Sequence, residues 1–459
     1  MEEQHGIAGW KRQLLHMVAG MLVLVLPFVP TQLLLIGCGL VLVVLALVKY
    51  VHRVPISSDD LGSGMMLVLA ALVLVAFVLL SEMAYSHYPS MMSGALPLFV
   101  VGAALSIATI ADSIANIYQH TRQGTGAEPK LRDVSSSLVF LFSSMVVALV
   151  IGGWIALQEG MMVSLDVLFF VSVMGAISAT LLGSISPRTT YNLVVPMGSA
   201  MVMWLFFDVG YTTPILHVLG VLVGALVLGY LAYRVGIADL SGLLSATLVG
   251  VLVMVFGSVW WFVLVLSFFV LGGGFTKYRY AYKESLGAAQ SRRGVRGYEN
   301  VFSNTLPALA LVVLYRVFPE LHPVIFAAFL ASIATATADT LASEVGETSR
   351  AVPRLITNLK PVRVGEDGGI TLLGEAASLM GALATALLAF VLLELGLEPM
   401  PTEPSHMLVV GVISGFAGTN IDSLLGATLQ RRGVLGNSGV NLASTAMAAI
   451  LGAAMYNYL

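Results

Sequence analysis

"LLLIGCGLVLVVLALV", residues 33–48, runs for sixteen residues without a charged or strongly polar side chain. At a helical rise of about 1.5 Å per residue, such a run approaches the roughly 20 residues that cross bilayer hydrocarbon. Runs of the same grade lie on either side, "LLHMVAGMLVLVLPFV" at 14–29 and "MMLVLAALVLVAFVLL" at 65–80. The 459 residues are 58% hydrophobic and 10% charged, whereas soluble proteins carry about 25% charged residues. No soluble core buries so large an apolar fraction. The sequence therefore encodes an all-α, polytopic integral membrane protein.

Hydropathy marks about fifteen spans, from 14–29 to 439–458. With the N-terminus cytoplasmic, the basic loops fall on one side, and only Arg316 of the 22 Lys and Arg falls outside. That bias is what the positive-inside rule predicts. Three long polar segments, 118–135, 274–300 and 339–370, then face the cytoplasm, where nucleotides are available. A single cysteine, Cys38, excludes a disulfide or a cysteine-ligated metal within one chain. The first apolar run lacks a small-residue cleavage site and is expected to be a retained helix. The lack of organelle-targeting sequence points to a prokaryotic plasma membrane.

Polar residues concentrate in "ATADTLASEVGETSRAVPRLITNLKPVRVGEDGGIT", residues 336–371. Its "ADTLASEVG" (338–346) has counterparts in "ADSIANIYQ" (111–119) and "TNIDSLLGATLQ" (419–430). Each places Asp, then Ser or Thr, then an aliphatic residue at the expected cytoplasmic end of an apolar run. A carboxylate near membrane depth marks a functional site by default; the plainer alternative is a helix cap or a headgroup-level residue. Mg²⁺ is held through one or two carboxylates together with water and phosphate oxygens. Asp339 and Asp422, with Glu344 and Asn420 nearby in sequence, supply such oxygens. Lys277, Lys283, Arg293, Arg296, Arg354 and Lys360 are the available phosphate counter-charges, although basic residues on inner loops also simply set topology. "GGGFTKYRY" (272–280) and "GEDGGIT" (365–371) offer glycine-rich backbone, and no Walker loop occurs.

These motifs resemble a known family. "GGGFTKYRYAYK", "GVRGYENVFSN", "ATADTLASEVG", "PRLITNLKPVRVGEDGGIT", "GFAGTNIDSLLGATLQ" and "NSGVNLAS" occur in the order found in the transmembrane-protein-19 and phytyl-phosphate kinase family. The resemblance covers about 218–459. It implies phosphorylation of an isoprenyl monophosphate to the diphosphate by a nucleoside triphosphate, CTP or ATP, with CTP favoured. Carried over by this resemblance as site residues are Lys277, Asn304, Asp339, Glu344, Arg354, Lys360, Gly368, Gly369, Asp422, Gln430 and Asn441.

The N-terminal half resembles, more distantly, the dolichol kinase and phytol kinase family, relatives of the phosphatidate cytidylyltransferases. "KRQLLHMVAG" matches its opening pattern through His16 and Gly20. Asp112 in "ADSIAN", Lys130 in "KLRDVSSS" and Asn192 in "SPRTTYNLVVP" match further motifs. The departures are equally specific: Asp133 and Val134 replace Glu and Gly, Tyr191 replaces Asp, and Gly183 stands where a Glu is expected. Losing one charge-assisted hydrogen bond costs roughly 1.5–3 kcal/mol, so this half reads as a degenerate module.

The expected organisation is a dolichol/phytol kinase-like membrane domain at 1–210 and a phytyl-phosphate kinase-like membrane domain at 211–459. Asp339, Asp422, Lys277, Arg354 and Lys360 are the expected catalytic set, with Asp339, Asp422 and Glu344 as the Mg²⁺ ligands. Asn304, Arg293, Arg296, Gly368, Gly369, Asn420, Gln430 and Asn441 are expected to bind nucleotide or lipid phosphate. The partners are thus a nucleoside triphosphate, an isoprenyl phosphate and the bilayer, with no nucleic acid. The same charges suit cytidylyl transfer to a lipid phosphate, and repeated motifs in two halves also suit a secondary transporter. A non-catalytic lipid-binding scaffold is the remaining reading, above all for the N-terminal half.

Overall fold

The computed structural model describes residues 13–51, 58–87, 94–123, 132–187, 189–211, 213–289 and 294–459. It is almost wholly helical. Among the described residues, twelve helices are long and apolar enough to cross a membrane. Three further apolar helices coincide with the remaining expected spans. Gln13–Phe28 and Leu240–Phe256 are shorter. Tyr191–Asp208 carries Asn192, Pro196 and Ser199 within its apolar run and is not among the twelve. Among the described residues, the helices meeting the length and hydropathy of a membrane span therefore number twelve, and these three lie at the other expected positions.

The chain divides into two compact units, Met1–Leu219 and Gly220–Leu459. In the first, the helices are α1 (Gln13–Phe28), α2 (Thr31–Val51), α3 (Ser58–His87), α4 (Leu98–Arg122), α5 (Val134–Gln158), α6 (Leu165–Ile185) and α7 (Tyr191–Asp208). Helix α4 sits at the centre, packed on α5 and α7 and buried along 89% of its most apolar window. It contains a π-helical turn, Ile107–Ala111, directly before Asp112. Such turns widen a helix locally and recur at functional sites.

Helix α8 (Ile215–Arg234) contains the division between units. The second unit continues with α9 (Leu240–Phe256), α10 (Val259–Lys277), the short α11 (Tyr280–Ser285), α12 (Tyr298–Val317) and α13 (His322–Gly346). A small hairpin follows, β1 (Arg354–Leu355) antiparallel to β2 (Gly369–Ile370), with Arg354 opposite Ile370 and Leu355 opposite Gly369. Helices α14 (Leu372–Glu394), α15 (Pro404–Leu425) and α16 (Asn437–Tyr456) complete the unit.

Helix α13 is the hub, packed against α10, α12, α14, α15 and α16. Its sequence explains why. "AAFLASIATATAD" (327–339) is mostly Ala, Ser and Thr, and small residues let helix backbones approach closely in membranes. The partners answer in kind. Gly381 of α14, Gly415 of α15 and Gly452 of α16 lie so near Ala338, Ala334 and Ala331 that an added Cβ would come within 2.9, 2.9 and 2.5 Å of them. Both acidic motifs of this unit ride on the bundle. Asp339 lies within α13, which continues to Gly346, and Asp422 lies within α15, followed by a π-helical turn at Gly426–Gln430. The sequence pattern places these carboxylates at helix ends; in the fold the helices run on past them.

Candidate active site

A cavity of about 700 Å³ opens within the second unit, lined by α13, α15, the first turns of α12, α14 and α16, and the loop 364–371. Asp339 and Asp422 both line it, close enough for their carboxyl groups to interact directly. Ser444 of α16 donates to Asp422 Oδ2 at 2.8 Å, and Asn441, one turn earlier and 9% exposed, accepts from Ser444 through its carbonyl at 3.1 Å. Asn420 donates to Glu375 Oε2 at 3.3 Å, and Glu375 lines the cavity. Thus α13, α14, α15 and α16 converge on one polar centre inside an apolar bundle.

The hairpin loop is seated on the π-helical turn by Gly368. Its φ of +75° suits glycine, and a Cβ there would come within 2.6 Å of three atoms of Ala427. Gly368, Gly369 and Gln430 consequently line the cavity, and Glu366 pairs with Arg431 at 2.9 Å. Burial, the largest influence, and neighbouring Glu366 push the Asp367 carboxyl upward against the pull of Arg431.

Other expected site residues lie elsewhere. Lys277 donates to the Val235 carbonyl, and Arg354 donates to the Leu359 carbonyl at 2.9 Å. Lys360 is exposed on the hairpin, its backbone N–H turned to Asn358 Oδ1 at 3.0 Å. None of the three lines the cavity. Asn304 is 3% exposed and donates to the Asn300 carbonyl at 2.9 Å, just beneath the lining residues Asn300 and Ser303. Glu344 is 2% exposed and ion-paired with Lys283, itself bonded to the Phe275 and Thr276 carbonyls. Arg293 and Lys130 lie outside the described residues.

Among the described residues, Arg296 is the one basic group lining the cavity, against eight acidic ones: Asp239, Glu299, Asp339, Glu347, Glu366, Asp367, Glu375 and Asp422. Burial pulls its guanidinium down to about 10, opposed by Glu344, so it stays charged at neutral pH. Among the described residues, no group of three or more His, Cys, Asp or Glu has metal-holding geometry. The donor set nevertheless suits Mg²⁺, a hard ion that takes one or two carboxylates and completes its shell with water and phosphate.

Sequence reasoning passed over Glu347, Asp367 and Asp239. The first two stand inside the charged stretch, Asp367 beside the Gly pair, so the signal is present. Asp239 is a hundred residues from Asp339 and only the fold brings it near. Glu347 has an immediate consequence. Burial, then Glu344, push its carboxyl up from 4.5 to about 7, with Lys283 acting the other way. The fold therefore favours its protonated form. That stabilisation is complete below about pH 4.5 and is lost as pH rises through about 7. Glu347→Gln is expected to remove the loss, making the variant about 1–2 kcal/mol more stable than wild type at pH 8 and equal at pH 4.5, once screening by cavity water is allowed for. Thermal melts in detergent across that range check it.

In the first unit, Asp112 is enclosed. Tyr191 donates to its Oδ1 at 2.5 Å, Asn116 to its Oδ2 at 2.7 Å, and Arg132 pairs with Oδ1 while lying 4.1 Å from the Phe140 ring centroid. Gly183 leaves the space that the Tyr191 ring fills, since a Cβ there would come 3.1 Å from that ring. The two departures from the kinase pattern at 183 and 191 are thus one packing arrangement. Asn192 donates to Ser63 Oγ at 2.5 Å, and His16 is half-buried on α1.

Fold and cavity together define a polytopic α-helical membrane protein with a carboxylate-paired polar site among its helices. The chain belongs to the integral membrane protein DUF92 family, whose model matches residues 223–449. It is 32% identical to the uncharacterized membrane protein MJ0933 of Methanocaldococcus jannaschii over 218 residues, covering 48% of this chain and 85% of that one. It is 30% identical to the chloroplastic protein VTE6 of Arabidopsis thaliana, over 48% of this chain and 65% of the relative. Protein PGR of the same plant is 28% identical over 48% of this chain and 82% of its own. No solved structure matches.

Proposed function

We propose that the second unit is a membrane-embedded isoprenyl-phosphate kinase, which moves the γ-phosphate of a nucleoside triphosphate, CTP by preference, to an isoprenyl monophosphate. The observation that carries this is the Asp339–Asp422 pair and the buried Arg296 on one cavity, the carboxylates suited to a divalent cation and the guanidinium to phosphate. The motif resemblance to the phytyl-phosphate kinase family and the likeness to VTE6 support it.

Phosphoryl transfer needs positioning and charge neutralisation more than covalent help from the protein. An oxygen of the acceptor phosphate attacks the γ-phosphorus, the bond to the β–γ bridging oxygen breaks, and the nucleoside diphosphate leaves with that electron pair. A phosphate monoester's second pKa is about 6, so the acceptor is already a dianion near neutral pH and needs no general base. Asp339 and Asp422 would hold Mg²⁺, which supplies neutralisation of the phosphates when bound. Arg296, itself 4% exposed, would hold phosphate at the cavity wall. Gly368 and Gly369 bring backbone to the cavity wall. Asp112 is engaged by Tyr191, Asn116 and Arg132, which supports reading the first unit as a module retained for lipid binding or packing. The positive-inside bias of the sequence supports a cytoplasmic position for the cavity's loops.

The test is product analysis on purified protein with Mg²⁺, labelled CTP or ATP, and geranylgeranyl phosphate or geranylgeraniol. γ-Label entering geranylgeranyl diphosphate is the expected result. α-Label entering lipid with release of pyrophosphate would replace the kinase by a cytidylyltransferase, and no transfer of either label would leave transport.

A further inference from the structure

Among the described residues, one cation on the cavity wall lacks a neutralising partner. Arg296 is 4% exposed, and neither its Nε nor its Nη1 has a hydrogen-bond partner among those residues. The acid whose charge reaches it is Glu344, already paired with Lys283 and absent from the cavity wall. A buried guanidinium with empty donors is destabilising unless an anion meets it. It is also held in place. Its backbone N–H donates to the Ile237 carbonyl at 2.9 Å, and its carbonyl accepts from Asp239 N–H at 3.0 Å. The guanidinium packs on Gly272 of α10, where a Cβ would come 2.4 Å from Nη2, and its carbon lies 5.2 Å from the Phe268 ring centroid.

Arg296 directly precedes Gly297, the N-cap of the 20-residue α12, and glycine supplies no side chain to cap its first turn. Tyr298 N–H is taken by Ser241 Oγ at 3.1 Å; those of Glu299 and Asn300 come next, and both residues line the cavity. The positive end of a long helix thus follows directly in sequence on a fixed arginine whose Nε and Nη1 have no partner among the described residues. This corner of the cavity lies at the first turn of the apolar α12, with Gly272 of α10 packed against the guanidinium. The glycine loop and the carboxylate pair belong to the cavity's other walls.

We propose that Arg296 and the first turn of α12 form the subsite for the phosphate of the lipid acceptor, and so select a phosphate monoester over the free isoprenol. This rests on the kinase reading for its consequence in turnover, but not for binding. A lipid phosphate at the N-terminus of α12 has a spanning helix beside which its chain can run, whereas a soluble nucleotide has no such requirement. The subsite recognises phosphate itself, so inorganic phosphate and nucleotide serve as competing probes.

The experiment measures binding of geranylgeranyl phosphate, geranylgeraniol, inorganic phosphate and CTP to the full chain in detergent, for wild type, Arg296→Gln and Arg296→Lys. Wild type is expected to prefer geranylgeranyl phosphate to geranylgeraniol. Arg296→Gln is expected to lose about 10- to 100-fold of the affinity for the phosphate, the range of a charge-assisted hydrogen bond, with geranylgeraniol and CTP unchanged. Arg296→Lys, which keeps the charge, covers the case in which Arg296→Gln fails to fold, and is expected to lose affinity for the phosphate alone. In turnover, the KM for the lipid phosphate rises while that for CTP holds, and methylguanidinium restores an Arg296→Ala variant. A loss of CTP affinity, stronger retention of inorganic phosphate than of lipid phosphate, or unchanged lipid binding would overturn the subsite. Absence of γ-label transfer with lipid selectivity intact would overturn the kinase reading alone.

Discussion

Asp339→Asn and Asp422→Asn are each expected to lower γ-phosphate transfer by at least about 100-fold while leaving the fold intact. Removing one preorganised electrostatic contact to transferring charge costs about 10²–10³ in rate, and even groups one step removed from a metal cost 10- to 100-fold. Asparagine has the shape of aspartate and remains polar toward the facing carboxyl, so packing in this tight bundle is undisturbed. What disappears is a formal charge and a hard anionic oxygen. The loss should fall on Mg²⁺ dependence, and the check is the initial rate against Mg²⁺ concentration with melts run alongside. A rate close to wild type in both variants would remove the carboxylate pair from the mechanism.

Legibility in the sequence follows physical range. Membrane helices announce themselves because sixteen apolar residues in a row, as at 33–48, form a one-dimensional signal that no partner need complete. The number of spans is less legible, since α7 mixes Asn192 and Pro196 into its apolar run. The meeting of Asp339 with Asp422 is readable because each carries the same Asp–Ser/Thr–aliphatic motif in an apolar setting, where a carboxylate needs a reason. Basic residues are harder. A lysine reads as a phosphate ligand by charge alone, but Lys277 spends its ammonium on a backbone carbonyl 42 residues away. Arg354 does the same within its own hairpin. Arg296 is one cation among six until its burial and its empty donors set it apart. In the first unit, the Tyr191 substitution looks like a missing ligand; only the fold shows its hydroxyl closing over Asp112 across 79 residues.

The second large effect concerns Glu344, which the sequence offers as a metal ligand and the structure pairs with Lys283, the two side chains 2% and 1% exposed. Removing one member of a buried ion pair strands the other, at about 3–5 kcal/mol, whereas replacing both by apolar groups of similar volume is often neutral. Lys283→Met is therefore expected to destabilise the protein by about 3–5 kcal/mol, and Lys283→Met with Glu344→Met to recover most of that loss. Lys283 also ties α11 to the end of α10 through the Phe275 and Thr276 carbonyls, so part of the cost persists in the double variant. The cycle is decisive for function as well as for stability. If Glu344 holds Mg²⁺, the double variant is folded but dead. If the pair only anchors α11 against α13 behind the cavity wall, the double variant transfers phosphate within a few-fold of wild type below its melting temperature. The geometry favours the second outcome, because Glu344 lies off the cavity while its neighbours Ser343 and Glu347 line it.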